Sequence, residues 1–472
     1  MTRFRSTAPL LLLTLAACTL TPRIERPAVP LPASFAEDPN WKPANPADAG
    51  PKGDWWTLFD DPILTELETR VETANQTVAA AVASYDAARA VVGENRSNLF
   101  PSVSVSGSDT RSQTFQGNAT TSTSGSQITS GTTHFSAAAT ASWTVDLFGS
   151  LRASLAQSKA SAAASAGDLA NAVLAAQGEL ALNYVQLRSI DAQRQIDADT
   201  IVAYTRALTI TQNRYNQGVA ARIDVLQAET QLKTTQAEAT DLERQRAVLI
   251  HAIAVLVGES PSLFTLAPVA KWSARVPQVP ALLPAQLLER RPDIAAAERR
   301  VTAANEGVGI ARSAFFPSLT LSANTSSNTS SMSQLFGAST SLWSLGASIA
   351  DTIFDFGGRK NKVAGARASY RQTVAQYRQT VLTAFQQIED DLAGVQFYET
   401  EEAQRRAASA EADRVEAIKF NQYKAGIAAY SDVIVAQTTA FSNRQAAITA
   451  TSNRQQATVS LIQALGGGWG TK

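Results

Sequence analysis

The sequence predicts a mostly α-helical protein with a transmembrane β part, built from two tandem copies of one unit. Three observations carry this prediction. The stretch YNQGVAARIDVLQAE (215–229) returns as YKAGIAAYSDVIVAQ (423–437). Tyr215, Gly218, Ala220, Ala221, Asp224, Val225 and Ala228 recur there as Tyr423, Gly426, Ala428, Ala429, Asp432, Val433 and Ala436, at a constant offset of 208 residues. Proline is absent between Pro101 and Pro261 and again after Pro317, so nothing interrupts very long helices in those intervals. Near Pro101, Pro317 and two downstream sites the chain alternates apolar and polar residues with period two, the pattern of a strand with one apolar face.

In chain order, residues 1–17 read as a signal peptide. Arg3 and Arg5 form a basic region, and PLLLLTLAA is an apolar region too short to cross a bilayer as a helix. It ends at Cys18, the only cysteine, which excludes an intramolecular disulfide. LAAC resembles the lipobox of bacterial lipoproteins, which implies cleavage before Cys18 and a covalent lipid (palmitate) on it; the alternative is an ordinary signal with an incidental cysteine. Thr19 differs from the aspartate of an inner-membrane retention signal and so favours the outer membrane. Residues 18–60 form the lipidated arm, extended by Pro22, Pro27, Pro30, Pro32, Pro39, Pro43, Pro46 and Pro51.

The first repeat spans 61–258: a helix, strands near 100–108 and 134–147, and a long helical hairpin turning at Gly218. A proline-dotted connector (259–284) leads to the second repeat (285–466), with strands near 316–325 and 341–354 and a hairpin turning at Gly426; 467–472 is a tail. GENRSNLFPSVSVS (93–106) matches GIARSAFFPSLTLS (309–322), DLFGSLR (146–152) parallels DFGGRKN (355–361), and VLVGES (255–260) parallels QALGGG (463–468). In the second strand Phe135, Ala137, Ala139, Ala141, Trp143, Val145 and Leu147 alternate with mostly polar residues. The Ser/Thr/Gly/Asn-rich stretches 109–133 and 326–340 read as loops. Such strands suit a membrane barrel, or soluble hairpins with one wet face. Val374, Tyr377, Val381, Ala384, Ile388, Leu392 and Val395, with Phe385, recur at spacings of three and four as a coiled-coil seam. Gly149 to Gly218 is 69 residues and Gly358 to Gly426 is 68, so each helix reaches ~100 Å and both turns lie at one depth. Phe148 and Gly357–Gly358 mark bends, and Trp55, Trp56 and Trp469 read as packing residues.

Lys plus Arg and Asp plus Glu both total 41, a zero net charge that argues against a nucleic-acid partner. His134 and His251 are the only histidines, and no nucleophile elbow, phosphate loop or metal-spaced cluster occurs, so the chain is not expected to be an enzyme or to need a cofactor beyond the lipid. No stretch of 18 apolar residues follows the signal, so a membrane crossing must use strands. Four strands cannot close a barrel in lipid, which requires copies to pool them as a trimer of twelve or a dimer of eight.

The paired Tyr-x-x-Gly turns with their aspartates, the FPS strand openings, DLFG, LLERRPDI (287–294), ALGGGW (464–469) and LAAC together resemble an outer-membrane factor. These are the TolC-like exit channels of tripartite efflux pumps, and the NodT/OprM-type lipoprotein branch is the most similar. The resemblance covers Cys18 to Trp469. It implies a homotrimer in the outer membrane of a Gram-negative bacterium, with a twelve-stranded β-barrel, a twelve-helix periplasmic α-barrel and an equatorial belt. It also implies a periplasmic adaptor protein and an inner-membrane pump of the RND type as partners. The implied function is passive exit of small toxic compounds. The alternatives are the duct of a type I protein secretion system or, in a different class, a lipid-anchored coiled-coil stalk.

The resemblance further implies that Tyr215, Gly218, Val219, Gly426 and Ile427 form the turns on which the adaptor docks. Asp432, Val435, Tyr423 and Asp224 are the candidate periplasmic gate. Three copies of Asp432 would form a carboxylate ring, Val435 stands where relatives often carry a second polar residue, and Tyr423 is expected to brace the neighbouring hairpin through Asp224.

Overall fold

A computed structural model describes residues 20–23, 53–114, 130–269, 272, 275–277 and 291–467. Cys18, most of the arm, much of the connector and Trp469 lie outside them. The chain divides into two compact units, one of Met1–Pro27, Asp86–Ala164 and Glu298–Gln376, the other of Ala28–Tyr85, Ser165–Ala297 and Tyr377–Lys472.

The first unit holds a four-stranded antiparallel sheet: β1 (Ser102–Thr114), β2 (Ser130–Val145), β3 (Ser318–Thr329) and β4 (Ser341–Ala350), in that order. Register gives the sheet two chemically distinct faces. Val103, Ala141, Ala323 and Leu345 stand in one row across the strands, and Val105, Ala139, Thr325 and Trp343 in another on the same face. The rows between them are Ser102–Ser142–Ser322–Gly346 and Ser104–Thr140–Asn324–Ser344. A one-residue slip on any strand would mix the faces, so the alternation itself fixes the register.

β1, β2 and β3 run further into the expected loops than the alternation suggested. Across β1 and β2, hydroxyls pair outward of the apolar rows, Ser108 with Ser136 at 2.8 Å and Ser112 with Thr132 at 2.9 Å. Serine and threonine read as loop formers by composition, yet their cross-strand hydrogen bonds prolong the ladder. β4 instead stops four residues early. Asp355 accepts hydrogen bonds from the Gly357 and Arg359 backbone N–H groups and turns the chain into the next helix. Asp146 does the same for Leu151 and Arg152 in the first copy. Gly149 and Gly357 carry the left-handed backbone at these bends, with φ of 77° and 88°.

Residues 20–22 lie along helix α5 (Pro292–Ser313) within the same unit. Thr21 donates to Glu306 at 2.9 Å, Asn305 to the Pro22 carbonyl at 2.8 Å and Arg312 to the Leu20 carbonyl at 3.4 Å. A Cβ on Gly309 would sit 2.4 Å from Thr21 Oγ1 and 3.0 Å from Thr21 Cα, so any larger residue there would shift the strap.

The second unit contains the apolar core. Helix α1 (Pro62–Ala74) starts where Asp61 accepts hydrogen bonds from the Ile63 and Leu64 N–H groups, with proline at its first position. The single helix expected in this region is two. Asn75 ends α1 and caps α2 (Gln76–Ser97) through the Thr77 and Val78 N–H groups, while its amide donates to the Leu256 carbonyl. Trp55, Trp56, Leu64, Leu67 and Val71 pack on Leu180, Tyr184 and Leu187 of α3 (Ser150–Asn216) and on Leu249 and Ile253 of α4 (Arg222–Leu256).

Helix lengths repeat: α3 and α6 (Gly358–Lys424) have 67 residues each, α4 and α7 (Tyr430–Ala464) 35 each. The expected seam contributes Ile388 to a second core with Leu461 and Leu465, flanked by Phe385, Leu392 and Val395. Arg291, within the LLERRPDI motif, pairs with Asp293 and donates to the Ala464 carbonyl at the end of α7. No helix among the described residues is long and apolar enough to cross a membrane.

Glu68 is fully buried in this unit, and neither of its carboxyl oxygens has a hydrogen-bond partner. Burial, reinforced by Glu72, raises its pKa from 4.5 to about 9. The folded protein therefore holds this proton where the unfolded chain releases it, and stability falls as pH climbs from about 4.5 towards 9. The loss by neutral pH is on the order of a few kcal/mol. Glu68→Gln should flatten the pH dependence of thermal unfolding across that window; an unchanged slope would show that Glu68 does not titrate there.

Candidate functional site

The two helix turns that repeat in the sequence are built alike. Gly218 and Gly426 adopt φ of 74° and 77°, the left-handed conformation that ends a helix without a Cβ penalty. Gly218 N–H donates to the Tyr215 carbonyl and Val219 N–H to that of Arg214; Gly426 and Ile427 donate to Tyr423 and Gln422. Val219 and Ile427, one residue beyond each glycine, are 64% and 77% exposed, so each turn presents an aliphatic side chain to its surroundings.

The copies diverge beneath the turns. Tyr215 is exposed, whereas its counterpart Tyr423 is buried with Tyr430, Val433 and Ala228, flanked by Leu208, Phe420 and Ile434. The Tyr423 and Tyr430 rings are 5.0 Å apart. Burial, with smaller contributions from Tyr423 and Asp224, pushes the Tyr430 hydroxyl up to about 12.

The expected brace from Tyr423 to Asp224 is not made within the chain. The Tyr423 hydroxyl lies 3.5 Å from Thr211 Oγ1. Asp224 turns back to accept a hydrogen bond from the Ala221 N–H at 3.3 Å, closing the first turn of α4. The reason is packing: Tyr423 is drawn into the apolar cluster, and the start of α4 takes the carboxylate.

Asp432 and Val435 are three residues apart on α7, both exposed, on a side separate from the buried Val433 and Ala436. Asp432 forms an ion pair with Lys419 at 3.3 Å. Sequence reasoning passed over Lys419 and also Arg214. Arg214 Nη1 donates to the Tyr423 carbonyl at 2.9 Å and the Lys424 carbonyl at 3.2 Å, with its guanidinium 4.6 Å from the Tyr423 ring centre. A signal was available: at the 208-residue offset, Arg214 corresponds to Gln422 and Lys419 to Thr211, so each copy carries a cation that the other lacks.

Cys18 lies outside the described residues, but Leu20, two positions on, is held by Arg312, six residues before β3 begins. Among the described residues no three His, Cys, Asp or Glu side chains converge to hold a metal ion.

Comparison with known proteins agrees with this architecture. The toluene efflux pump outer membrane protein TtgC of Pseudomonas putida is 31% identical over 458 residues, covering 96% of this chain and 93% of that protein. The cation efflux system protein CusC of Escherichia coli is 29% identical over 460 residues, covering 97% of each chain. The solved structure of the outer-membrane channel OprN superposes with a TM-score of 0.84 at 26% identity, covering 96% of this chain and all of that one. The family model described as Outer membrane efflux protein matches residues 69–259 and 283–467, the greater part of both repeats, and the chain belongs to that family.

Proposed function

We propose that the protein is the passive outer-membrane exit channel of a tripartite efflux system, working as a homotrimer. One observation carries the reading: a four-stranded sheet, apolar on one face and polar on the other, with β1 and β4 at its two edges. Open edges in hydrocarbon leave backbone groups unsatisfied, so copies must join edge to edge. An eight-stranded barrel has an interior that side chains just fill, while twelve strands leave room for a passage. Three copies also bring twelve long helices to a periplasmic α-barrel. The residues 20–22 strap favours a lipid on Cys18 held near the start of β3, as a second hold on the membrane.

In this reading the turns at Gly218 and Gly426 meet a periplasmic adaptor through Val219, Ile427 and Tyr215, and the adaptor links the channel to an inner-membrane pump of the RND type. Asp432 and Val435 line the closed aperture. Lys419 offsets the charge of Asp432, which allows three carboxylates to approach one another. The named cargoes of the relatives, toluene and cations, share no recognisable chemistry. That supports an unspecialised duct, with small toxic compounds selected by the pump.

Single-channel recording of the purified protein in planar bilayers tests this. The wild type should conduct weakly as a detergent-stable trimer, and the Asp432→Ala/Val435→Ala double variant should conduct several-fold more. Unchanged conductance would sink the gate assignment; a monomer without conductance would sink the channel reading itself.

A further inference from the structure

Arg214 is the structural feature that the proposed function leaves without a role. It stands in the last turn of α3, and its guanidinium reaches out of the first hairpin (α3–α4) to the end of α6 in the second (α6–α7). The carbonyls it contacts, Tyr423 and Lys424, belong to the last turn of α6, where the helix dipole is negative; that of Tyr423 also accepts the Gly426 N–H. The Arg214 Nε is buried without a hydrogen bond. Its charge is balanced by carbonyl oxygens and by the face of the Tyr423 ring.

The link runs one way. Gln422, which matches Arg214 in the second copy, brings no charge to return the contact. The second hairpin is also fastened internally, by Lys419 to Asp432 and by the tilted contact of the Tyr423 and Tyr430 rings. Between Lys424 and Tyr430 lies only the five-residue turn that delivers the start of α7 and, with it, Asp432 and Val435. Whatever holds the end of α6 therefore sets where those two side chains stand.

We propose that Arg214 is the positioning residue of the aperture, a latch by which the first hairpin holds the second hairpin's gate residues in the closed arrangement. The proposal rests on Asp432 and Val435 being the gate. Releasing the guanidinium removes the polar tie at the end of α6 and loosens the turn, while Tyr423, Tyr430 and Val433 stay packed with Ala228 and Leu208 of the first hairpin. That cluster keeps the hairpins joined, so the displacement is confined to the turn and to the exposed side of α7 that carries Asp432 and Val435.

The test compares Arg214→Gln and Arg214→Lys with the Asp432→Ala/Val435→Ala variant by single-channel conductance, with trimer melting in detergent measured in parallel. Loss of the charged fork should raise the open population roughly tenfold without lowering the trimer melting temperature. Arg214→Lys, which keeps a charge but loses the planar fork and the stacking, should fall between Arg214→Gln and wild type. If Arg214→Gln also destabilises the trimer, the decision passes to Arg214→Lys, whose wild-type conductance would overturn the latch. Raised conductance in the double variant with wild-type conductance in both Arg214 variants overturns the latch and leaves the gate standing. Raised conductance in the Arg214 variants alone overturns the gate, and the proposal with it, because the aperture would then lie elsewhere.

Discussion

Asp191→Ala is expected to destabilise the protein by about 3–5 kcal/mol, the cost of removing one partner from a buried ion cluster. Asp191 has no exposed side-chain surface and receives Arg188 at 3.0 Å, Arg246 at 2.7 Å and the Val269 N–H at 3.3 Å. Arg194 approaches the same carboxylate at 3.5 Å. The arginines do more than neutralise it. Arg246 donates to the Leu266 carbonyl at 2.6 Å and Arg188 to that of Ala267 at 3.1 Å, so one carboxylate fastens the start of the connector to α3 and α4. Removing it strands two desolvated guanidiniums and loosens the connector together. Asp191→Asn keeps the shape and loses the charge, and should fall between. Thermal unfolding followed by helical circular dichroism measures both; an Asp191→Ala variant within about 1 kcal/mol of wild type, the range of an exposed pair, would refute the assignment.

Gly258→Ala is the second large effect, and its interest lies in the contrast with glycines that look the same. Gly258 has φ of 73°, close to the 74° and 77° of Gly218 and Gly426. A left-handed alanine costs about 1–2 kcal/mol at any of the three. At Gly218 and Gly426 a Cβ would meet nothing within 4 Å, so that is the whole expected cost. At Gly258 it would stand 2.3 Å from the Ala74 carbonyl oxygen, a backbone atom that cannot rotate away. Overpacking of this kind adds about 1–3 kcal/mol, so Gly258→Ala should be clearly the least stable of the three variants. Equal melting temperatures would mean that the close approach to α1 is not retained in solution.

The tip and the sheet show how far the residues alone lead. Glycine at 218 and 426 announces a helix end wherever it closes a long apolar-periodic run, because the left-handed position is nearly free only for glycine. Alternation in ASWTVDL and SLTLS marks strands because side chains point to opposite faces at every step. By contrast, the Ser/Thr-rich extensions of β1 to β3 were hidden because hydroxyl pairing across strands needs the partner strand in place. Tyr423 and Tyr215 are the same residue in the same motif, yet only Tyr423 enters a core, because only its neighbours on α3, α4 and α7 supply one. No single helix contains that information.

By itself, then, the sequence determined the duplication, the equal helix lengths, the two-faced strands and the places where the chain turns. All follow from short-range geometry: helical period, pleat and the conformational freedom of glycine or proline. Tertiary structure alone decided which charges matter. Arg188 and Asp191 are spaced like an ordinary exposed helix pair, Glu68 like any surface glutamate, and Arg214 like a routine cation near a helix end. Their roles arise when another helix removes water from around them, since burial sets both the cost of an unpaired charge and the strength of a paired one.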